Sequence, residues 1–405
     1  MQALDGIRVL EISRMPITSF VAMLLGDFGA EVIKVDSPQV IANMGSSVPP
    51  PGENKDEIRR GAYYQLNRNK KSVAVDLKSE EGKKIFLELA GKADILLEGF
   101  RPGVMKRLGV DYKTVSQLNP GIIYCSISGY GQDGPYKDLP GHDINYISFA
   151  GLLGLIGKPG DKPVIPLNLF GDYAGGSLHA AIGILLALEA RRRTGRGQYV
   201  DISMTDGVIS LLTGVTQDYF TGGSIPGRGE GHLGGGYPYY NVYETRDGKY
   251  ITIGCLEDWF WENLCRELGR EDLIPYGFRL DQRYHEPEGE EWQKVSAFLE
   301  ETFRTKTRDE WFELLGKKNI AVGKVYHLGE VFSDPQVKHR QMLIEMKHPD
   351  VGKVKHTGIA IKLSDTPGKV RSLSPLLGDH TDEVLSELGY TREQIQNLRQ
   401  AEVIR

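Results

Sequence analysis

The first hundred residues alternate between two spacings of apolar residues, and this alternation limits the possible folds more than any other feature. Ile7–Ile12 is a short apolar run that predicts a buried strand, whereas Thr18–Phe28 repeats its apolar residues with helical spacing. The predicted buried face of that helix consists of Phe20, Met23, Leu24 and Phe28. Because strands that alternate with helices form a parallel sheet covered on both faces, the sequence predicts an α/β first domain.

The same alternation continues beyond the first strand and helix. Further strands are predicted at Glu31–Val35, Ser72–Leu77, Asp94–Glu98, Gly121–Ser128 and Gln198–Met204, and further helices at Glu80–Gly91 and Gly176–Arg193. The turn after the first strand lacks the glycine fingerprint of a dinucleotide site, so a nicotinamide cofactor is not expected.

A change in composition near residue 221 predicts a second domain. Thr221–Pro238 holds eight glycines and two prolines, as a linker would. The segments that follow are two aromatic strands joined as a hairpin, Tyr239–Tyr243 and Tyr250–Gly254, and two helices, Glu257–Leu268 and Glu291–Thr302. We therefore expect a large domain at 1–225, completed by 330–405, and a small α+β domain at 226–329. The closing segment is expected to contain a strand at Gly358–Leu363 and a final helix at Asp382–Leu388.

Charge and cysteine content exclude several classes of function. The net charge of −5 leaves no basic surplus for nucleic acid or an anionic membrane, so neither is an expected partner. The three cysteines have no CxxC spacing, and no metal site is expected. No signal peptide is visible, and the longest apolar stretch, Ala180–Leu188, is short for a bilayer, so a cytoplasmic protein is predicted. Glycine is in excess, with 49 of 405 residues.

Three side chains have the chemistry for acid–base catalysis near neutral pH. His142 follows a loop rich in glycine and proline, and histidine is the side chain most easily poised for proton transfer. Asp172 is expected where a loop meets the long helix, and Glu257 follows the second hairpin strand. Each has a structural alternative, since a lone histidine is usually structural and both acids stand where a helix N-cap would. The residues alone leave both interpretations open.

Six segments distributed from end to end of the chain resemble a known family. They are Leu4–Glu11, Gly29–Asp36, Arg68–Lys78, Phe100–Gly109, Thr194–Asp201 and Gly378–Leu385. With these the chain resembles the family III CoA-transferases (CaiB/BaiF-like), and within them most closely the 2-methylacyl-CoA racemases. The resemblance implies a Rossmann-like large domain, a small α+β domain and a homodimer whose two chains interlock. It also implies an acyl-CoA substrate with no separate cofactor.

The resemblance gives the three candidate side chains distinct roles. In the racemases a histidine at the position of His142 and an aspartate at that of Asp172 would exchange the α-proton of a thioester, with Glu257 pairing with the histidine. Backbone N–H groups near 172–176 are candidates for stabilising the enolate oxygen. In the transferases the aspartate instead attacks the thioester and passes through acyl-aspartyl anhydride and aspartyl-CoA intermediates. Because all three side chains are present, the resemblance favours racemisation at the α-carbon of a 2-methyl-branched acyl-CoA, with CoA transfer between acids as the alternative.

The CoA contacts implied by the resemblance lie in the large domain. Arg107 and Phe100 match family positions expected to contact CoA, and Arg suits a phosphate. Ser37 stands where racemases usually have Arg, and Lys34, close in sequence, is a further expected CoA contact. Two insertions, Val40–Tyr63 and the acidic Glu271–Glu291, give the chain a length closer to that of the transferases. Glu257 is expected to reach the site from either subunit.

Overall fold

The computed structural model describes residues 1–13, 15–39, 50–223, 227–278 and 290–405. These form two compact units, the first made of 1–150, 167–212 and 335–405 and the second of 151–166 and 213–334. The small domain expected at 226–329 falls within the second unit, which also takes in short segments on either side. Parts of both predicted insertions, 40–49 and 279–289, lie outside the described residues.

The first unit is built on a six-stranded parallel sheet, as the alternation of periods predicts. Its strands are β1 (Arg8–Ile12), β2 (Glu31–Asp36), β3 (Lys70–Ala74), β4 (Ile95–Glu98), β5 (Ile123–Ser128) and β6 (Tyr199–Ser203). Their order is β3-β2-β1-β4-β5-β6, and every neighbouring pair is parallel. This is the doubly wound Rossmann order, in which chain direction across the sheet reverses between β1 and β4. The predicted α/β class is confirmed.

Helices cover both faces of this sheet. In chain order they are α1 (Pro16–Asp27), α2 (Lys55–Tyr63), α3 (Glu80–Gly91), α4 (Val104–Leu108), α5 (Tyr112–Leu118), α6 (Asp143–Phe149), α7 (Leu152–Leu155, in the second unit), α8 (His179–Thr194) and α9 (Met204–Leu211), with a 3-10 turn at Gln65–Asn67. Directly before α8 the chain forms a π-helix, Leu169–Leu178. The helix predicted at Glu80–Gly91 has the expected bounds.

Helix α1 is more deeply buried than its sequence suggests. Phe20 and Leu24 were expected on its buried face but are only partly buried, whereas Val21, Ala22 and Leu25 are fully packed in the core. A helix that is covered on several sides by other elements has apolar residues around most of its circumference. Ser177 of the π-helix donates a hydrogen bond to the Ile17 carbonyl oxygen at 2.9 Å, so the π-helix provides one of these covering layers.

The chain returns to the first unit at its end and covers the sheet edge formed by β3. Thr381 Oγ1 accepts a hydrogen bond from the Ala74 N–H, and a single antiparallel bridge joins Val75 to Ile404. The segment Gly378–Leu385, which resembles the family, therefore lies against the edge strand β3. An edge covered in this way cannot pair with another chain.

Two predictions for the closing segment are wrong. Gly358–Leu363 forms no strand, and the antiparallel hairpin lies just before it, in β10 (Leu343–His348) and β11 (Gly352–Thr357). A helix does occupy the region predicted at Asp382–Leu388, but it is not the final one. The helices here are α15 (Pro335–His339), α16 (Thr381–Glu387) and α17 (Arg392–Gln400).

The second unit has its own core around a three-stranded antiparallel sheet. Its elements are β7 (Tyr240–Glu244), β8 (Tyr250–Gly254), β9 (Val322–Val325), α10 (Thr213–Phe220), α11 (Asp258–Glu267), α12 (Glu290–Phe303), α13 (Arg308–Leu315) and α14 (Leu328–Val331), with a 3-10 helix at Glu271–Tyr276. Tyr239, Trp261 and Phe303 are among the largest side chains buried in its core. The predicted α+β character and the predicted hairpin are confirmed.

One described helical stretch is longer and more apolar than expected. Leu169–Thr194, the π-helix with α8, has the length and composition of a helix that could cross a membrane, and 39% of its most apolar window is buried inside the protein. The longest apolar stretch expected from the sequence, Ala180–Leu188, covers only part of this helix. Packing against α1 and the sheet accounts for only part of this apolar character, since Ile182 and Leu186 are exposed.

Candidate active site

Asp172 lies within the π-helix, not at a junction between a loop and a helix as predicted. The π-helix spans Leu169–Leu178 and continues directly into α8, so Asp172 stands in its first turn. Helices of this type are rare, and the short ones known as π-bulges are frequently found at functional sites. The wider turn changes the direction in which successive side chains leave the axis, and Asp172 remains half-buried.

Asp143 brings the π-helix and the start of α6 together. Its side chain is 4% exposed, and Oδ2 accepts hydrogen bonds from the N–H groups of Gly171 at 2.6 Å and Asp172 at 2.9 Å. A carboxylate is favourable at this position because the first N–H groups of a helix lack partners within the helix. Since Asp143 directly follows His142, this contact places His142 and Asp172 in one site.

His142 is exposed and immediately precedes α6. Its backbone N–H donates to Asn145 Oδ1 at 3.0 Å, which fixes the first turn of the helix from the main chain. Exposure leaves its imidazole accessible from solvent. The first unit therefore presents an accessible imidazole and a half-buried carboxyl group side by side.

Several groups act on the ionisation of Asp172. Burial raises its pKa above the usual value, and the neighbouring Asp143 carboxylate raises it further. Two effects oppose this increase: Asn168 Nδ2 donates a hydrogen bond to Oδ2 at 3.0 Å, and His142 favours the anion electrostatically. A carboxyl group with a raised pKa can hold and release a proton closer to neutral pH than a solvated aspartate can.

The Asp172 amide is already engaged by Asp143. The N–H groups near 172–176 are the predicted candidates for stabilising an enolate oxygen. In this structure the amide of Asp172 itself cannot take that role, because its hydrogen is directed at the Asp143 carboxylate.

Glycines around the site make close contacts within the chain. A Cβ added at Gly175 would come 2.5 Å from the Met204 carbonyl oxygen, and one at Gly207 would come 2.2 Å from that of Gly175. The π-helix and α9 therefore touch backbone to backbone. Similarly, a Cβ at Gly129 would stand 2.2 Å from the Tyr146 ring. Internal packing therefore accounts for Gly129, Gly175 and Gly207.

Glu257 lies in the second unit, immediately before α11. It is exposed, and its side chain makes no capping hydrogen bond, whereas its carbonyl oxygen accepts hydrogen bonds from the N–H groups of Phe260 and Trp261. The structural alternative of a capping carboxylate therefore does not describe this side chain. Its predicted pairing with His142 stays a prediction.

Phe100 and Arg107 follow β4 in the first unit. Phe100 is partly buried against the core on one face of the sheet, and its N–H donates to Glu98 Oε2 at 2.8 Å. Arg107 is exposed in the last turn of α4, with its guanidinium beside Gly103. Their contact with CoA stays a prediction.

Lys34 is buried, which argues against the predicted contact with a CoA phosphate. It is 1% exposed, and its Nζ donates to Glu11 Oε1 at 3.2 Å and to the Ser13 carbonyl oxygen at 2.8 Å. Lys70 Nζ lies 2.7 Å from the other oxygen of Glu11. Although burial opposes ionisation, these two lysines lower the pKa of Glu11 to about 2. Lys34 therefore holds the turn after β1 from inside the domain.

The described part of the chain contains no group of three or more His, Cys, Asp or Glu side chains that could hold a metal ion. Cys125, Cys255 and Cys265 are all free and buried.

Two residues of this site, Asp143 and Asn168, were missed in the sequence analysis. Asp143 is adjacent to His142. A charged residue next to a predicted catalytic histidine was the signal that could have identified it. Asn168 lies four residues before Asp172, a spacing that brings side chains together on a helix. That signal was hidden because the segment was expected to be a loop.

The fold and the site define a family of enzymes. The chain belongs to CoA-transferase family III, whose model matches residues 4–381. This confirms the resemblance on which the site residues were assigned.

Relatives of known activity cover almost the whole chain. Alpha-methylacyl-CoA racemase of Homo sapiens is 34% identical over 99% of this chain and 97% of its own length. Succinyl-CoA–D-citramalate CoA-transferase of Chloroflexus aurantiacus is 33% identical over 99% and 98%. The crystal structure of a CaiB/BaiF family protein from Brucella suis matches with a TM-score of 0.79 and 30% identity, covering 96% of this chain and 99% of that one. Both racemases and transferases are thus similar to this chain.

Proposed function

We propose that this protein is a 2-methylacyl-CoA racemase, which moves a proton from one face of the α-carbon of a branched acyl-CoA thioester to the other. The observation that carries the proposal is the pairing of an accessible imidazole, His142, with a carboxyl group, Asp172, in one site joined by Asp143. Two groups that can each accept and donate a proton are what this reaction requires.

The reaction would proceed through an enolate. One base removes the α-proton, the negative charge spreads onto the thioester oxygen, and the conjugate acid of the other base returns a proton to the opposite face. For turnover in both directions each base must be stable with and without its proton. The raised pKa of Asp172 supports this, because the protonated carboxyl must persist long enough to act as the acid. Glu257 would stabilise the imidazolium of His142, as the carboxylate does in a catalytic triad.

Substrate binding would use the carboxyl ends of the strands. Phe100 and Arg107 are the proposed CoA contacts, with Arg107 meeting a phosphate. Because CoA is part of the substrate, we propose that no separate cofactor takes part. Three free, buried cysteines support the proposal that the protein works in a reducing compartment such as the cytoplasm.

We also propose that the protein works as a homodimer whose chains interlock. Support comes from an apolar stripe on α8 and the residue before it, which the first unit leaves exposed. The exposed side chains are Leu178, Ile182, Leu185 and Leu186. Their spacing places them on one side of the helix, and contiguous exposed apolar surface of this kind marks an interaction site.

Hydrogen exchange in heavy water tests the racemase proposal. Each enantiomer of a 2-methylacyl-CoA is incubated separately with the protein and no acid acceptor, and both deuterium incorporation and inversion are followed. We expect the wild type to exchange and invert both enantiomers.

Variants of the two bases sharpen this test. His142→Ala and Asp172→Asn should each lower inversion by about 100-fold or more, while each retains exchange of the one enantiomer that the surviving base can deprotonate. His339→Ala and Asp138→Asn change exposed residues outside the site and should behave as wild type. If both base variants inverted normally, the two-base proposal would be wrong.

CoA transfer between carboxylic acids is the alternative, and the transferase relatives at 33% identity favour it. In that reaction Asp172 would attack the thioester and no α-hydrogen would exchange. Absence of exchange in the wild type, together with an aspartyl-CoA adduct that is trapped at Asp172 after incubation with acyl-CoA alone and is consumed when an acid acceptor is added, would establish the alternative. Substitution of His142 should then be tolerated.

A further inference from the structure

The loop that follows β4 leaves the sheet at the point where the strand order reverses. Ile12, the last residue of β1, pairs in register with Glu98, the last residue of β4. In open parallel sheets ligands bind outside the carboxyl ends of the strands at this point. A Cβ added at Gly99 would come 2.9 Å from Thr18 and 3.0 Å from Ser13, so this loop lies directly against the turn after β1.

Glu98 holds this loop through its backbone. Its side chain is 3% exposed, and Oε2 accepts the hydrogen bond from the Phe100 N–H at 2.8 Å. Register pairs Glu98 with Ser126 of β5 and Ser126 with Asp201 of β6, so the three side chains lie on the same face of the sheet.

Among the described residues, Asp201 is the charged group that acts on Glu98, and it carries the same sign. Ser126 and the hydrogen bond from the Phe100 N–H favour its anion. Glu98 in turn raises the pKa values of its neighbours Tyr124, Tyr199 and Cys125. Asp201 is itself half-buried, and its Oδ2 accepts a hydrogen bond from the Gln132 N–H at 3.1 Å. A buried carboxyl group without a countercharge is costly to ionise, so it is retained where its acceptor has a purpose.

We propose that Glu98 is a positioning residue for CoA: its ionised carboxylate fixes the Phe100 amide and thereby the loop that carries Phe100 and leads to Arg107. This inference rests on the proposed function, because it takes Phe100 and Arg107 as the CoA contacts. Glu98 itself is nearly inaccessible and acts through the loop.

Protonation of Glu98 should therefore weaken CoA binding. A carboxylate is a stronger acceptor for an N–H group than a protonated carboxyl group. Burial, with a contribution from Asp201, raises the pKa of Glu98 to about 7. The strong acceptor is thus present above about pH 7 and is lost as the pH falls below it, and the affinity for CoA should fall in the same direction.

Calorimetric titration of the full-length protein with CoA at pH 6 and pH 8 tests this inference. Glu98→Gln keeps a neutral acceptor of the same shape and removes the titration. We expect its Kd to equal that of the wild type at pH 6 and to be about fivefold weaker at pH 8. Glu88→Gln, on the solvent side of α3, should match the wild type at both pH values. Asp201→Asn, which removes the neighbouring negative charge, should shift the loss of wild-type affinity to lower pH.

The outcomes separate this inference from the proposed function. Equal weakening of Glu98→Gln at both pH values would indicate a purely structural role and would overturn the inference. So would an Asp201→Asn variant whose affinity falls at the same pH as that of the wild type. In either case the exchange experiment with acyl-CoA still tests the proposed function independently. A wild type that binds no CoA at either pH would overturn both.

Discussion

At the scale of single residues, Asn168 is the neutral side chain with the most direct influence on the proposed chemistry. Its amide donates a hydrogen bond to one carboxylate oxygen of Asp172, Oδ2, at 3.0 Å. The hydrogen bond lowers the pKa of Asp172, against burial and the Asp143 charge. Asn168 therefore sets both the direction of the carboxylate and the pH range in which it can accept a proton.

Replacing Asn168 with alanine should move that pH range. Without the donor the pKa of Asp172 rises further, so in the direction in which Asp172 is the base the acid limb of the kcat/KM profile should shift to higher pH. At pH values below the new limb we expect a loss of about tenfold, the size expected for one hydrogen bond to a charged group. Rates for both enantiomers measured across pH give the profile. Asn397→Ala, an exposed substitution on α17, should leave it unchanged, and an unshifted limb in Asn168→Ala would contradict the assignment.

At the scale of elements, the contact between the π-helix and α9 is the closest approach near the site. Gly175 and Gly207 leave no space for a side chain between the two backbones. Gly171 has the same restriction toward Asp143, since an added Cβ would lie 2.8 Å from Oδ2. The direction of Asp172 thus depends on the absence of side chains on the neighbouring turns.

The variant Gly175→Ala should loosen this contact. The added methyl group would meet the Met204 carbonyl oxygen, a backbone atom that cannot rotate away, and we expect the free energy of unfolding to fall by about 1–3 kcal/mol. Urea unfolding followed by circular dichroism measures the change. At Gly214, on α10, an added Cβ would meet no atom within 4 Å, so Gly214→Ala should be neutral or slightly stabilising. Equal stabilities of the two variants would contradict the packing described here.

Elements that bury a continuous apolar run could be predicted from the sequence, and those defined by local geometry could not. The parallel sheet and α3 could be predicted because the spacing of their apolar residues matches the positions that are buried. Gly358–Leu363 also contains apolar residues, but Ile359 is buried while Ile361 is 53% exposed, so the segment packs one side chain without forming a strand. The π-helix was predicted as a loop, because its glycines suppress a helical pattern and no composition rule distinguishes a π-turn.

At the scale of the whole molecule, the exposed apolar stripe beginning at Leu178 is the surface on which the proposed dimer depends. A monomer would leave Ile182 55% exposed and Leu186 66% exposed on adjacent turns. Burial of such side chains stabilises an interface by roughly 25 cal/mol per Å² of apolar surface. A second copy of the chain is the partner proposed above.

A carboxylate in this stripe should therefore weaken the dimer. Ile182→Asp adds a charge that an interface would have to desolvate without a partner, and we expect sedimentation velocity to show a shift toward monomer at micromolar concentration. Lys84→Asp places the same side chain on a 73% exposed position of α3 and should sediment as the wild type. Unchanged sedimentation of Ile182→Asp, with circular dichroism confirming that it is folded, would contradict a dimer formed through α8.

The site illustrates what a family resemblance adds to a single sequence. His142, Asp172 and Glu257 were identified as candidates from residue chemistry, but only the resemblance separated them from structural alternatives. Lys34 shows the opposite case, since nearness in sequence to a lost arginine suggested a phosphate contact while the side chain points into a buried ion pair. A one-dimensional pattern does not reveal which face of a strand a charged residue occupies when both faces are covered.

The bridge between Val75 and Ile404 has a consequence for synthesis of the protein on the ribosome. β3 is made early, yet Ile404, which forms the bridge, is added only after Asp334, the last residue of the second unit. The large unit therefore cannot be completed before Pro335–Arg405 has been made, and the edge of β3 stays uncovered until then. The second unit can fold first, and the order of folding is then the reverse of the order in which the two units begin.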